Sequence, residues 1–166
     1  MDDETSWPAT RTVDVDKDNS EPIVDGISFG DRLVIFKKSS VYLIVGEHFE
    51  INLARVFTVT KLNVPSDFYF TEGRTLQILE NGVLLIFGVN GVYKYEGGYN
   101  VERISDPIFT DLKNYRPNWV ADDNEEYVYY SGSFRNRYLF PIAATAVGNK
   151  DESFLYDENR AFWKWT

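Results

Sequence analysis

The sequence lacks cysteine and has a single histidine, His48. Without cysteine the chain can form neither a disulfide nor a thiolate metal site, which fits folding in a reducing compartment. A lone histidine excludes a histidine-rich metal site, and we predict a surface or strand-edge position for His48. No apolar run approaches the roughly 18 residues of a membrane span, and the acidic first residues are not a secretory signal. We therefore expect no membrane insertion.

Positive charge is scarce. Lysine and arginine number 17 against 26 aspartates and glutamates, which gives a net charge of −9. Such a charge repels phosphate backbones, so we expect no tight nucleic-acid binding. Two interpretations of the acidity stay open: it keeps a protein with 16% aromatic residues in solution, or it lines a passage through which DNA moves without sticking.

One stretch of sequence occurs twice. Leu-Val-Ile-Phe at residues 33–36, with Val-Tyr at 41–42, returns as Leu-Leu-Ile-Phe at residues 84–87, with Val-Tyr at 92–93. The offset of 51 positions (84 − 33) also relates Ile27 to Ile78 and Gly46 to Gly97. A period of about 50 residues built from short strands is typical of propeller blades and related stacked β units.

Glycine and short polar clusters divide the apolar runs into hairpins. Residues 1–22 are acidic and polar, and we predict an extended arm there, with one short strand over residues 12–15. The repeat domain, residues 23–166, contains units at about 23–58, 75–105 and 117–165. The first unit has strands near 27–29, 32–37, 41–45 and 49–57. The second has strands near 76–79, 83–87, 92–95 and 99–104, with type I′ turns at Asn81-Gly82 and Asn90-Gly91.

The third unit is less regular than the other two. Strands are predicted at residues 127–130 and 138–142 around turns at Gly132 and residues 135–136, followed by a hairpin at 154–156 and 161–165. Pro107 after Asp106 predicts one short helix near residues 107–114, because proline fits the first helical position. The fold class is therefore all-β, with antiparallel meander repeats forming about three propeller-like blades.

Several residues are candidates for a chemical role. Asp14, Asp16, Asp18 and Asp25 approach a calcium-loop spacing, but Asn19 stands where that loop has glycine, so a solvated acidic loop is the default interpretation. The other carboxylates follow turn chemistry. Strand aromatics could form a sugar-stacking platform, or equally the core and rim of a blade; they are Tyr127, Tyr129, Tyr130, Tyr138, Phe162, Trp163 and Trp165. No catalytic, cofactor-binding or metal-binding residue is assigned.

The order of several short phrases resembles the β-propeller-like virion structural proteins of tailed bacteriophages, found in tail tubes, nozzles and head-completion plugs. The phrases are Pro-Ile-Val-Asp-Gly at 22–26, residues 32–37 with Ser-Val-Tyr at 40–42, Asn-Gly-Val-Tyr at 90–93 with Glu-Gly-Gly at 96–98, Arg-Ile-Ser-Asp-Pro-Ile at 103–108, and Leu-Tyr-Asp at 155–157 before Trp163. The resemblance covers most of residues 5–165. It departs in one respect: such proteins resemble complete propellers, whereas three units fall short of the four to eight blades that typically close a ring. Either the chain is a piece of something larger or copies complete the ring.

The resemblance implies a structural protein without enzymatic activity or cofactor. We expect a tail or head-to-tail component that forms a rigid wall or docking surface, made in the host cytoplasm and located in the virion. Its expected partners are other virion subunits and copies of itself. The alternative is a carbohydrate- or receptor-binding propeller module, in which a glycan would be the ligand. A propeller enzyme acting on polysaccharides is a third alternative, and it lacks a catalytic residue set.

Overall fold

Twelve strands in three antiparallel sheets make up the described part of the chain. The computed structural model describes residues 13–48, 55–70, 75–108, 132–134, 137–142, 152–157 and 161–165. Sheet 1 contains β1 (Ile23–Phe29), β2 (Arg32–Lys37), β3 (Val41–His48) and β4 (Arg55–Lys61). Sheet 2 contains β5 (Leu76–Ile78), β6 (Leu84–Gly88), β7 (Gly91–Tyr95) and β8 (Val101–Arg103). Sheet 3 contains β9 (Gly132–Phe134), β10 (Arg137–Ile142), β11 (Glu152–Asp157) and β12 (Ala161–Trp165).

Each sheet is an open meander in which strands adjacent in the sequence are hydrogen-bonded neighbours. The prediction of an all-β chain with antiparallel sheets is confirmed, and within the described residues the sheets do not close on themselves. Where a short helix is predicted near residues 107–114, the described residues form a 3₁₀ turn over Asp106–Ile108. The remainder of the predicted helix, 109–114, lies outside the described residues. Strand β4 continues to Lys61, beyond its predicted end.

The sequence repeat is also a repeat of strand pairing. In sheet 1 the second and third strands pair Phe36 with Val41, and in sheet 2 the second and third strands pair Phe87 with Val92. Both residues of the pair shift by 51 positions, and the next pair along each hairpin does the same. The two apolar phrases therefore occupy equivalent places in their sheets, as the repeat predicts.

The equivalence does not extend to the first strand of each sheet. Ile27 lies opposite Val34, but the residue opposite Leu85 is Gln77 rather than Ile78. The cause is a longer hairpin loop, in which Leu79 and Val83 are joined by a backbone hydrogen bond of 2.9 Å across three residues. Because a slip of one residue exchanges the faces of a strand, Ile27 packs in the core whereas Ile78 is exposed. The predicted correspondence of Ile27 with Ile78 is wrong.

The two Asn-Gly sequences do form hairpins, but not the predicted type I′ turns. Such turns need positive φ at both central residues, and among the described residues Asp16 is the only non-glycine with positive φ. Gly82, with φ of 81°, ends a three-residue loop. The second turn is centred on residues 89–90, since Gly88 pairs with Gly91. In sheet 3, Gly132 begins a strand rather than a turn, and the predicted strand at 127–130 lies outside the described residues.

The sheets stack with a constant polarity. We call the side of a sheet that packs on the following sheet its forward face, and the opposite side its rear face. The largest core cluster joins the forward face of sheet 1 to the rear face of sheet 2; its strand residues include Val34, Phe36, Val41 and Leu43 from the first and Leu84, Ile86, Tyr93 and Tyr95 from the second. A second cluster joins the forward face of sheet 2 (Leu85, Phe87, Val92) to Tyr138 of sheet 3. Both faces of sheet 2 are thus covered, which explains why β6 is buried along its whole length.

The connection from sheet 1 to sheet 2 holds these two layers together. The amide of Phe70 donates to the carbonyl of Lys38 in sheet 1 over 2.7 Å, while the amide of Val89 in sheet 2 donates to the carbonyl of Tyr69 over 2.8 Å. The ring of Phe70 also packs on Phe36, with 4.8 Å between centroids. Because this backbone bonds to both layers, we expect it to fix their separation.

A matched pair of glycines tests this close approach. A Cβ atom at Gly88 would lie 2.6 Å from the carbonyl oxygen of Tyr69, whereas one at Gly98 would meet nothing within 4 Å. We expect Gly88→Ala to lower the free energy of unfolding by about 1–3 kcal/mol, since the backbone must shift. Gly98→Ala should leave it unchanged or raise it by up to about 1 kcal/mol through the unfolded chain. Urea unfolding of both variants measures the difference, and equal stabilities would contradict the packing described.

Candidate functional site: an arm docked on the first sheet

The described part of the arm, residues 13–21, lies across the rear face of sheet 1. Val15 packs against the apolar cluster of Ile35, Tyr42 and Ile44 on that face. The Tyr42 hydroxyl donates to the carboxylate of Asp16 over 2.5 Å. Val15 and Asp16 are therefore docked on the sheet, whereas Asp14 and Asp18 are exposed, as the interpretation of a solvated acidic loop predicts. Residues 13–15 are not a strand, and Thr12 lies outside the described residues.

A lysine of the sheet binds into the turn of the arm. The side chain of Lys37 is 3% exposed, and its Nζ donates to the carbonyl oxygens of Asp16 and Asn19, each over 3.1 Å. The amide of Asn19 donates to the Asp16 carbonyl over 3.1 Å, and Asp16 adopts a φ of 51°, which closes the turn. Buried charges need such partners. The segment with calcium-loop spacing thus does receive a cation, and that cation is the ammonium group of Lys37.

Two further groups hold the arm in place. The carboxylate of Glu21 accepts hydrogen bonds from the Ser39 hydroxyl over 2.6 Å and from the Ser39 amide over 3.2 Å. The hydroxyl bond is the main reason that the pKa of Glu21 lies below its ordinary value. Lys61 Nζ lies 3.9 Å from the Asp16 carboxylate and 5.7 Å from the centre of the Tyr42 ring. Apolar contact, hydrogen bonds and charge therefore act together on one short segment, residues 13–21, which we call the latch.

Two carboxylates of the latch have partners on the sheet: that of Asp16 contacts Tyr42 and Lys61, and that of Glu21 contacts Ser39. In the described ranges no group of three or more histidine, aspartate or glutamate side chains is placed to hold a metal ion. His48 is the last residue of β3, opposite Arg55, and its side chain lies outside the description. Asp157 ends β11 and accepts a hydrogen bond from Arg137 Nε over 3.0 Å. What the latch can do is cover an apolar face.

The predicted aromatic platform is not formed by Tyr138. Its ring is fully buried, and its hydroxyl donates to the Thr75 carbonyl over 2.6 Å, so this residue belongs to the core. Tyr127, Tyr129 and Tyr130 lie outside the described residues, as do the side chains of Phe162, Trp163 and Trp165 on β12.

An exposed aromatic that the sequence reasoning did not select is Tyr99, at 68% exposure. It lines a shallow groove of about 120 Å³ together with Asn100 and charged residues of β7, β8 and the loop between them. Lys94 in this groove bonds Glu96 over 3.0 Å and lies 3.6 Å from Glu102, and the Glu96 hydrogen bond raises the pKa of Lys94. The sequence predicts a strand from residue 99, whereas β8 begins at Val101 and leaves Tyr99 in the preceding loop; the two glycines before Tyr99 were the available signal. Within the described stretches, no helix has the length and apolar character to cross a membrane.

Two neighbouring lysines provide a test of the latch. Lys37→Met keeps the apolar stem but removes the ammonium donor from the carbonyl of Asn19 and one of two donors from the carbonyl of Asp16, so we expect it to cost about 1–3 kcal/mol of stability and to loosen the latch. Lys38→Met, at an exposed neighbour, should stay within about 0.5 kcal/mol of the parent. Urea unfolding measures the change in stability, and the rate of tryptic cleavage after Lys17 measures how far the latch has loosened. Equal behaviour of the two variants would show that Lys37 does not secure the latch.

Comparison of the chain with models of known protein families, with curated proteins and with solved structures gives no match. The virion role suggested by the order of short phrases therefore stays a prediction that rests on those phrases.

Proposed function

We propose that the protein is a non-enzymatic structural component of a phage virion, in the tail or the head-to-tail region, where it contributes a rigid wall and a docking surface. In this proposal the three sheets are propeller-like blades. The observation that carries it is the constant polarity of stacking: sheet 1 packs on sheet 2, and sheet 2 on sheet 3, each through its forward face. Units that stack in one direction build stiff walls, because each supports the next.

The mechanical role follows from how the layers are joined. Sheet 2 is buried on both faces, and the connection between sheets 1 and 2 bonds to both of them. Bending such a stack requires opening an apolar interface along its length, which costs free energy in proportion to the area exposed. In the proposal, this stiffness is what the virion uses. Its partners are other virion subunits and further copies of the chain, and a net charge of −9 leaves passing DNA unbound.

A second candidate, a carbohydrate-binding module, is favoured by the groove at Tyr99. An exposed aromatic ring beside carboxylates, an amide and a lysine supplies the stacking surface and the hydrogen-bonding groups that a sugar needs. The groove is shallow and its charged groups are already paired with one another, so the structural role remains the stronger proposal.

The decisive experiment is to find where the protein resides. We expect the genes on either side of its own to encode portal, capsid or tail proteins, and mass spectrometry of gradient-purified particles to detect the chain at a fixed copy number. Its absence from purified particles would contradict a virion role. In that event, a glycan array probed with the native chain and with Tyr99→Ala distinguishes the second candidate, which requires binding that the substitution abolishes.

A further inference from the structure

The rear face of sheet 1 is built as a face that receives another sheet. Adding 51 to Ile35, Tyr42 and Ile44 gives residues 86, 93 and 95, which are the positions through which sheet 2 receives sheet 1. The latter three, Ile86, Tyr93 and Tyr95, are fully buried by that contact. Sheet 1 therefore repeats the receiving residues of sheet 2, although no sheet among the described residues lies on it.

The latch covers only part of this face. Strand pairing places Leu33 beside Ile44, and Phe57 beside Gly46, on the same side as the receiving residues. Leu33 is 40% exposed and Phe57 is 46% exposed. The equivalent of Leu33 in sheet 2 is Leu84, which is fully buried beneath sheet 1. A nine-residue segment thus lies where a whole sheet would fit, and it leaves apolar surface uncovered at the periphery.

Sheet 3 carries the complementary position in the stack. Tyr138 of β10 is buried against the forward face of sheet 2, so the side of sheet 3 that carries Tyr138 is its rear face. The positions on its other side, the forward face, alternate along the strands with Tyr138 and Tyr156. The register aligns Leu139, Leu155 and Trp163 across three adjacent strands, at positions that alternate with Tyr138 and Tyr156. An apolar row of this kind is what a forward face offers in sheets 1 and 2.

We propose that the rear face of sheet 1 is the docking surface for the forward face of sheet 3 from a second copy of this chain, and that the latch is the removable cover of that surface. The inference rests on the proposed propeller-like stacking and names its partner. The contact is head to tail, and in the proposal it is repeated at the other end of the pair so that two copies close a ring. The sheets of the described residues number six in two copies, within the typical range of about four to eight blades, whereas three copies would exceed it.

Light scattering after gel filtration tests the proposal on the full chain. Val15→Ser combined with Asp16→Ala removes the apolar contact and the Tyr42 hydrogen bond, and alanine is strained at the φ of residue 16, so the latch should open. We expect the native chain to gain mass towards two copies as concentration rises, and the opened variant to reach two copies at a concentration at least about tenfold lower. Faster tryptic cleavage after Lys17 verifies that the latch has opened.

Charge substitutions on the exposed periphery complete the test. Adding Phe57→Glu or, as a second variant, Leu33→Glu should return the opened chain to one copy, because both residues are exposed in the single copy and would be buried in the pair. Tyr99→Glu, at an exposed aromatic away from the face, should leave the pair intact. Circular dichroism confirms that each variant is folded.

Three results would overturn the inference. They are a mass of one copy for both the native and the opened chain at every concentration, pairing that persists in both peripheral variants, and a mass that grows beyond two copies. A protein that is found in purified particles but has a mass of one copy in solution would contradict the ring and support the virion role. A protein that forms pairs in solution but is absent from particles would support the ring and contradict the virion role.

Discussion

The burial of both faces of sheet 2 is the constraint on which the rest of the structure depends. A strand covered on both sides must be apolar throughout, and β6 is. Its neighbours must then present one face each to it, which fixes the polarity of the stack and leaves sheet 1 with an apolar rear face. The latch follows from that: an apolar face that no sheet of the described chain covers is instead covered by a short segment of the chain itself.

The latch also shows how a polar arm can be held on an apolar face. Among the latch residues, Val15 supplies the hydrophobic contact with this cluster, and the bonds from Asp16 and Asn19 are polar. A buried ammonium group stabilises the closed state because it satisfies two carbonyl oxygens, yet the same group is readily solvated once the arm leaves. Contacts of this composition are exchangeable, whereas the aromatic and aliphatic contacts between sheets 1 and 2 are not. This difference separates the permanent core from the surface proposed for assembly.

Local pattern predicted much of this, and failed where contacts are distant. Strands and hairpins of the first two sheets followed from β-branched and aromatic runs between turn residues. The face on which each first-strand residue lies did not follow from the pattern, because one extra loop residue before β6 places Ile78 on the opposite side of its sheet from Ile27. The aspartates of the arm have a spacing close to that of a calcium loop, but spacing does not show which cation the segment contacts. Here the cation is the ammonium group of Lys37, 21 residues away from Asp16. A lysine in line with Leu33 and Ile35 on an apolar strand was the signal that could have indicated it.

The central claim, that the forward face of sheet 1 packs on the rear face of sheet 2, is tested most directly by a double-mutant cycle. Phe29 of β1 and Tyr95 of β7 lie with ring centroids 5.1 Å apart. The cycle of Phe29→Leu with Tyr95→Leu, measured by urea unfolding, should give a coupling free energy of about 0.5–1.5 kcal/mol. The reference cycle of Phe29→Leu with Phe57→Leu, at an exposed residue of β4 on the opposite edge of sheet 1, should be additive within about 0.5 kcal/mol. Additivity in both cycles would contradict the stacked arrangement.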